Sequence, residues 1–483
     1  MTNLRSKAVS GVKWSTASQV GRQGTQLLTT IIFAHLLSPA DFGLLGMAMV
    51  IIGFVEIFKD LGATAAIIQK KELSEALLSS IFWVNVGFGI LAAAFLFLGA
   101  PLGGLFYRES GVVDILRILS LSFFISSLSI LHQALLQRSL AFQALAAVEI
   151  SAVVCGAAVG ISLAWSGAGV WSFVFQVLTT VSVSTILLWL SSSWRPHWIF
   201  HWTEVKSIRS FGLNLAGFNI VNYFSRNADY LLIGRYLGAQ NLGYYTLAYR
   251  ILLFPLQNIS AVIGKVMYPV LSTLQDDNRR FVPAYLKITS AIAFFAFPLM
   301  AGIFVLADPF VFTFFGDKWR AVIPLIMIFA PVGLIQSIGT TVGSIYQAKG
   351  RTDWMFKWGA GSGAVTVLAF IIGMRWGING VATAYAIASF VLIYPSLTIP
   401  FRLIGLKFSK LMGFLTRAFL ASVLMSVGLH VFRIAQPFAL SSVVELTLSL
   451  ALGAIVYITA SWFINRKHLI ELWMLIFHEM GSK

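Results

Sequence analysis

The sequence predicts an all-α polytopic membrane protein with about 14 transmembrane helices, arranged as two six-helix lobes followed by two C-terminal helices. Three observations predict it. Of the 483 residues, 58% are hydrophobic and 11% are charged, against roughly 25% charged in soluble domains. The apolar excess falls in blocks of about 20 residues, the length a helix needs to cross hydrocarbon. Two short stretches of the first half also reappear in the second, in the same order and at nearly the same offset.

The chain opens on "MTNLRSKAVSGVKW", short and basic, and runs directly into apolar sequence with no small-residue cleavage site. That predicts a first transmembrane helix and not a removed signal peptide. Taken in order, spans fall near 11–37, 42–63, 76–100, 115–136, 144–165, 168–191, 208–236, 242–268, 284–307, 321–347, 355–375, 379–402, 411–433 and 441–465. "HLLSPADFGLLGMA" (35–48) lines up with "RYLGAQNLGYYTLA" (235–248), setting Leu37 on Leu237, Asp41 on Asn241 and Gly43 on Gly243. "WSGAGVWS" (165–172) lines up with "WGINGVAT" (376–383). The repeats predict an N-lobe over 1–193, a C-lobe over 208–402, and two more helices with a cytoplasmic tail over 403–483. Six is even, so both lobes take one orientation, related by an axis along the membrane normal, as in many transporters.

Between the lobes, 194–207 reads as an interfacial linker helix, because Trp194, Trp198 and Trp202 recur at helical spacing as aromatic anchors. "HLIELWMLIFHEM" (468–480) reads similarly and is too short to span. Of 13 prolines, nine lie between 208 and 402. Pro255, Pro269, Pro298, Pro324 and Pro331 fall in or beside spans, where the missing N–H kinks a helix. The C-lobe is therefore expected to bend more during turnover, with static kinks as the alternative.

A net charge of +16 would suggest nucleic acid in a soluble protein. In a membrane protein, basic residues gather in cytoplasmic loops. With the N-terminus inside, about 24 of the 34 lysines and arginines fall on the inner side and about 7 on the outer, leaving Arg22, Arg226 and Arg250 within spans. This places both termini in the cytoplasm and argues against a nucleic-acid partner. A single cysteine, Cys155, excludes a disulfide framework or thiolate metal cluster within the chain. There is no phosphate-binding G-x-x-x-x-G-K-[ST] loop and no G-x-S-x-G nucleophile motif. His197 and His201 have a metal-capable spacing but no further ligands nearby. The expectation is a transporter with no metal or cofactor, not an enzyme.

The polar residues inside the spans carry the chemistry. In the first span Ser15, Gln19, Arg22, Gln23, Gln26 and Thr30 recur at steps of three and four, on one face. The second ends in Glu56, Lys59 and Asp60; the fourth presents Gln133 and Gln137, and the tenth Gln336 and Gln347. The seventh carries Asn222, Tyr223, Arg226, Asp229 and Tyr230, and the eighth Tyr249, Arg250 and Gln257. An arginine facing lipid at a helix centre costs at least about 2.5–3.5 kcal/mol, so such residues face a bundle interior or a wet cavity. The faces predict a hydrated cationic cavity in which Arg22, Arg250 and Arg226 bind an anionic group. Phosphate suits them, because the guanidinium fork donates two parallel hydrogen bonds. Structural roles stand beside these: an Arg226–Asp229 ion pair, an acid partner for Arg250 across the lobes, interhelical bonding by the glutamines, and solvated helix-end positions for Glu56 and Asp60. A coupling-ion role for Glu56, Asp60 or Asp229 is the functional alternative.

"LLSPADFGLLGMAMVIIGFVEIFKDLGATAAIIQKKELS" (36–74), "ALLQRSLAF" (134–142), "SRNADYLLIGRYLGAQNLGYYTLAYRILLFPLQNIS" (225–260) and "FPLMAGIFVLADPFVFTFFGDKW" (297–319) resemble the polysaccharide transporter family of Wzx-like flippases. The likeness is closest to the colanic acid and teichuronic acid exporter branch. The resemblance implies the multidrug/oligosaccharidyl-lipid/polysaccharide exporter fold, a pair of six-helix lobes in a V shape. It implies movement of an undecaprenyl-diphosphate-linked oligosaccharide across the bacterial cytoplasmic membrane by alternating access, with membrane lipids and polysaccharide polymerase machinery as partners. Cations on helices one, two and eight bind the diphosphate in such proteins; Arg22 and Arg250 fall on matching helices, and helix two offers Lys59. The sugar would meet Gln19, Gln23, Gln26, Asn222, Tyr249 and Gln257. Two alternatives share the superfamily. A multidrug or organic-ion antiporter would place acids in its cavity, and a peptidoglycan-precursor flippase would share the cationic one. A membrane-bound glycosyltransferase would need larger outer loops.

Overall fold

The computed structural model describes residues 2–57, 73–201, 213–435 and 441–481; their side chains are described outside 2–10, 12, 213–221, 257–270, 465 and 467–481. Regular structure among the described residues is helical throughout. The first elements are α1 (Thr2–Leu36), α2 (Pro39–Glu56), α3 (Glu75–Tyr107), α4 (Gly111–Ser127), α5 (Ile130–Arg138), α6 (Phe142–Trp165) and α7 (Trp171–Ser191). α8 (Leu213–Thr273) is interrupted at Gly238, which has φ 82° and ψ 175°. Then come α9 (Asn278–Val305), α10 (Ala307–Phe314), a 3-10 turn (Asp317–Trp319), α11 (Val322–Gly339), α12 (Val342–Ala348), α13 (Thr352–Gly373), α14 (Gly377–Ile404), α15 (Phe408–Ala435) and α16 (Ser442–Gly481). The chain divides into two compact units, Met1–Gly243 and Tyr244–Lys483.

Among the described residues nine helical segments are long and apolar enough to span, and α4 with α5, bent by 41°, makes a tenth. The protein is thus a multi-pass membrane protein. Its lipid-facing surface is apolar: Leu98 and Leu102 on α3 and Val427 and Val431 on α15 are all exposed, as hydrocarbon requires. α1 is 35 residues long yet stands outside the apolar set, because its arginine and glutamines interrupt the apolar run.

The internal repeat is written into the turns. α2 begins with a capping box, in which the Asp41 N–H donates to Ser38 Oγ at 3.3 Å and the Ser38 N–H to Asp41 Oδ2 at 2.9 Å. Pro39 at the first helical position presets φ. In the second copy Gly238 stands where Ser38 does and turns the chain with a positive φ instead, while Asn241 Nδ2 donates to the Leu237 carbonyl at 2.8 Å. Within the first unit the two turns touch. A Cβ on Gly43 would overlap the backbone of Ala239, and one on Gly243 the backbone of Pro39.

Further along, α4 and α5 break at 128–129, and α11 and α12 break at 340–341. α5 and α12 then end in the same cap. Ala141 N–H donates to Leu136 O at 2.9 Å and Leu140 N–H to Gln137 O at 3.1 Å; Arg351 N–H donates to Tyr346 O at 2.8 Å and Gly350 N–H to Gln347 O at 3.1 Å. The left-handed residue is Leu140 (φ 58°) in one and Gly350 (φ 65°) in the other.

Two expectations are corrected. Residues 192–201 of the linker are not helical. Pro196 lies in this stretch, and the N–H groups of His197 and His201 donate to Ser79 Oγ and Ser80 Oγ at 3.1 and 2.9 Å. The tryptophans hold this strap against the start of α3: Trp194 Nε1 donates to Glu75 Oε2 at 2.9 Å, and Trp198 stacks on Trp83 at 4.2 Å. They are spaced for contacts on the protein, not along one helical face; 202–207 lie outside the described residues. At the other end, α16 runs through 468–480 without the separate segment expected there. The last two helices are pinned by Arg433, whose Nε donates to Glu445 Oε1 at 2.8 Å and Nη1 to the Val305 carbonyl at 2.6 Å, with Asp308 Oδ2 3.7 Å from Nη2.

Candidate functional site

α1 comes close to α6 because small residues face it. A Cβ on Gly21 would lie 3.2 Å from Ile150, and one on Gly11 would press into the Phe142 ring. The approach brings Ser18 and Arg22 to Glu149. Arg22 Nε lies 3.5 Å from Glu149 Oε2, and the Ser18 hydroxyl donates to the same oxygen. Ser18 is 3% exposed, whereas the Arg22 and Glu149 side chains are 39% and 31% exposed. Arg22 Nε is buried without a hydrogen bond, so the exposed surface of this arginine lies elsewhere along its side chain. The pair joins two helices of a membrane protein, and neither side chain is fully buried. It orients the guanidinium.

Gln19 and Gln23 on the same helix are half-buried and Gln26 is exposed. The threonines around them are satisfied locally: Thr25, Thr29 and Thr30 donate to the carbonyls of Gly21, Thr25 and Gln26 at 2.9, 2.8 and 2.8 Å. On the first arm of α8, Tyr223 donates its hydroxyl to the Val50 carbonyl at 2.7 Å, over Gly53, where any side chain would collide with it. Asn222 and Arg226 are exposed. Asp229 is 3% exposed and accepts the Tyr230 N–H at 2.9 Å. Glu56 is exposed at the last residue of α2, and Asp60 lies outside the described residues.

In the second unit Tyr249 stacks on Tyr245 with centroids 5.9 Å apart and meets Phe329 edge-on at 5.8 Å. Phe329 also packs against Tyr385, whose hydroxyl accepts from Gln336 Nε2. Arg250 is exposed, and the Gln257 side chain lies outside those described. Arg22 and Arg226 thus belong to the first unit and Arg250 to the second. Two residues went unmarked in the sequence reading. Glu149 stands alone in the apolar run of α6, and an ionisable residue within a span is a functional candidate by default. Tyr385 had no such signal.

A sequence family described as "Polysaccharide biosynthesis protein" matches residues 32–324. The lipopolysaccharide biosynthesis protein WzxC of Escherichia coli (strain K12) is 30% identical to this chain, over 80% of each. The teichuronic acid biosynthesis protein TuaB of Bacillus subtilis (strain 168) is 29% identical, over 95% of this chain and 96% of its own. Among solved structures, a lipid II flippase, MurJ, in an inward closed conformation superposes with a TM-score of 0.77, covering 95% of this chain and all of the other at 16% identity. That likeness is one of fold.

Proposed function

The chain belongs to the polysaccharide biosynthesis protein family, and from that premise we propose that it moves a lipid-linked oligosaccharide from the inner to the outer leaflet of the bacterial cytoplasmic membrane. It is a transporter. The substrate we infer is an undecaprenyl-diphosphate-linked repeat unit of an exopolysaccharide or related polymer, translocated by alternating access with both termini in the cytoplasm. Polysaccharide polymerase machinery is the partner that would receive it.

The single observation that supports this beyond family membership is Arg22, a half-exposed cation on a helix too polar to rank with the apolar spans. A diphosphate leaving water needs cations, and the sugar hydroxyls need amides and phenols once desolvated. In this reading Arg22, Arg250 and Arg226 take the diphosphate; Gln19, Gln23, Gln26, Asn222, Tyr249 and Gln257 take the sugars; Glu56, Asp60 and Asp229 are the acids available for ion coupling. A membrane potential positive outside favours outward movement of the anion by about 2.3 kcal/mol per charge per 100 mV.

The test is reconstitution of the full chain in liposomes, following undecaprenyl-diphosphate-linked oligosaccharide between leaflets. Arg22→Ala and Arg250→Ala are each expected to slow flipping by about tenfold or more, the worth of one charge-assisted hydrogen bond. Undiminished rates in both, with wild type active, would reduce the arginines to structural ion pairs.

A further inference from the structure

Glu149 has no part in the reading above, yet it is the described residue that Arg22 faces across the α1–α6 contact. Three facts define its geometry. The carboxylate approaches the side of the guanidinium, at Nε. The same carboxylate oxygen accepts a hydrogen bond from Ser18, which is 3% exposed. The pair is neither sealed in a core nor fully solvated, with about a third of each side chain exposed.

A carrier working by alternating access has a requirement that a receptor lacks: it must also return empty. With substrate bound, the diphosphate neutralises Arg22. After release, an arginine within a span would be left without a counter-charge in a medium of low dielectric, and the empty carrier would be slow to reset. An anionic side chain already beside the guanidinium removes that penalty. It also competes with the ligand for the same cation and repels its charge, so binding becomes an exchange of one anion for another. We propose that Glu149 is a positioning and counter-charge residue for Arg22, held in place by Ser18, which weakens diphosphate binding in order to allow release and the return of the empty carrier. The proposal rests on the reading that Arg22 meets the diphosphate.

Glu149→Gln tests it, because the amide oxygen still accepts the Ser18 hydroxyl and only the charge is lost. With the full chain in nanodiscs, binding of undecaprenyl diphosphate is measured for wild type, Glu149→Gln, Glu149→Asp, Ser18→Ala, Arg22→Ala and the Arg22→Ala/Glu149→Gln double variant. Flipping is measured for the same set in liposomes. Glu149→Gln is expected to bind about fivefold or more tightly and to flip more slowly. Ser18→Ala should shift both quantities the same way by less, and Glu149→Asp should restore near-normal turnover. In the double variant the gain in affinity should vanish. Unchanged or weaker binding by Glu149→Gln overturns the proposal, as does a gain that persists without Arg22. If Arg22→Ala alone leaves binding unchanged, the fault lies in the assignment of Arg22 to the diphosphate, a different result read from a different variant.

Discussion

Leu140 and Gly350 close the same cap with different side chains, and the difference has a measurable cost. A non-glycine residue in the left-handed region is disfavoured by about 1–2 kcal/mol, a strain carried at Leu140 and absent at Gly350. A Cβ on Gly350 would meet nothing within 4 Å, so Gly350→Ala isolates the backbone term. It should destabilise the protein by about 1 kcal/mol, seen as a lower thermal midpoint of the purified protein in detergent; an unchanged midpoint would mean that the cap does not persist in solution. At this scale the sequence is legible where the signal is periodic. Arg22 and the glutamines of α1 stand out because they recur every three or four residues. Glu149 carries a different signal, a single ionisable residue in an apolar run, but its partner lies on another helix and no period points to it. Tyr385 is silent, as its bond to Gln336 joins helices that nothing local connects.

The elements themselves were largely legible. The spans read at 144–165 and 379–402 are the helices Phe142–Trp165 and Gly377–Ile404, because one apolar block dictates one crossing. The breaks at 128–129 and 340–341 were not, since hydropathy continues across them. The linker was misread because tryptophan spacing resembles a helix, whereas Ser79, Ser80 and Glu75 decide its path from a distant part of the chain. The matched glycines were legible as letters, and the structure supplies their reason. Gly43 faces the Ala239 backbone, which cannot move aside as a side chain can. Gly43→Ala should therefore lose about 1–3 kcal/mol of stability through overpacking and lower the yield of folded protein on size-exclusion chromatography. Gly24→Ala, on open space inside α1, should lower neither, because alanine is the better helix former. Equal behaviour of the two variants would mean that the turns do not touch.

For the whole molecule, the charge distribution makes the sharpest statement. Arg320 lies in an exposed outer loop and Lys407 in an exposed inner one, if basic residues set orientation as they usually do. Cys155 is itself exposed, so the experiment begins from Cys155→Ser. A membrane-impermeant maleimide should then label Arg320→Cys in intact spheroplasts, and Lys407→Cys only after permeabilisation; the opposite pattern would invert the topology.

The compact units bear on how the chain is made. The first closes at Gly243, where the second copy of the repeated turn meets the first, and Gly234 just before it packs on Tyr107 and Met47. Synthesis adds about 5–20 residues per second. The roughly 50 residues from 193 to 243 therefore take about 3–10 s. For that interval the seven helices α1–α7 stand without residues 234–243, and the surfaces of Gly43 and Tyr107 that these residues meet are uncovered. α7 ends at Ser191 and the compact unit at Gly243, and the ribosome reaches the first several seconds before the second.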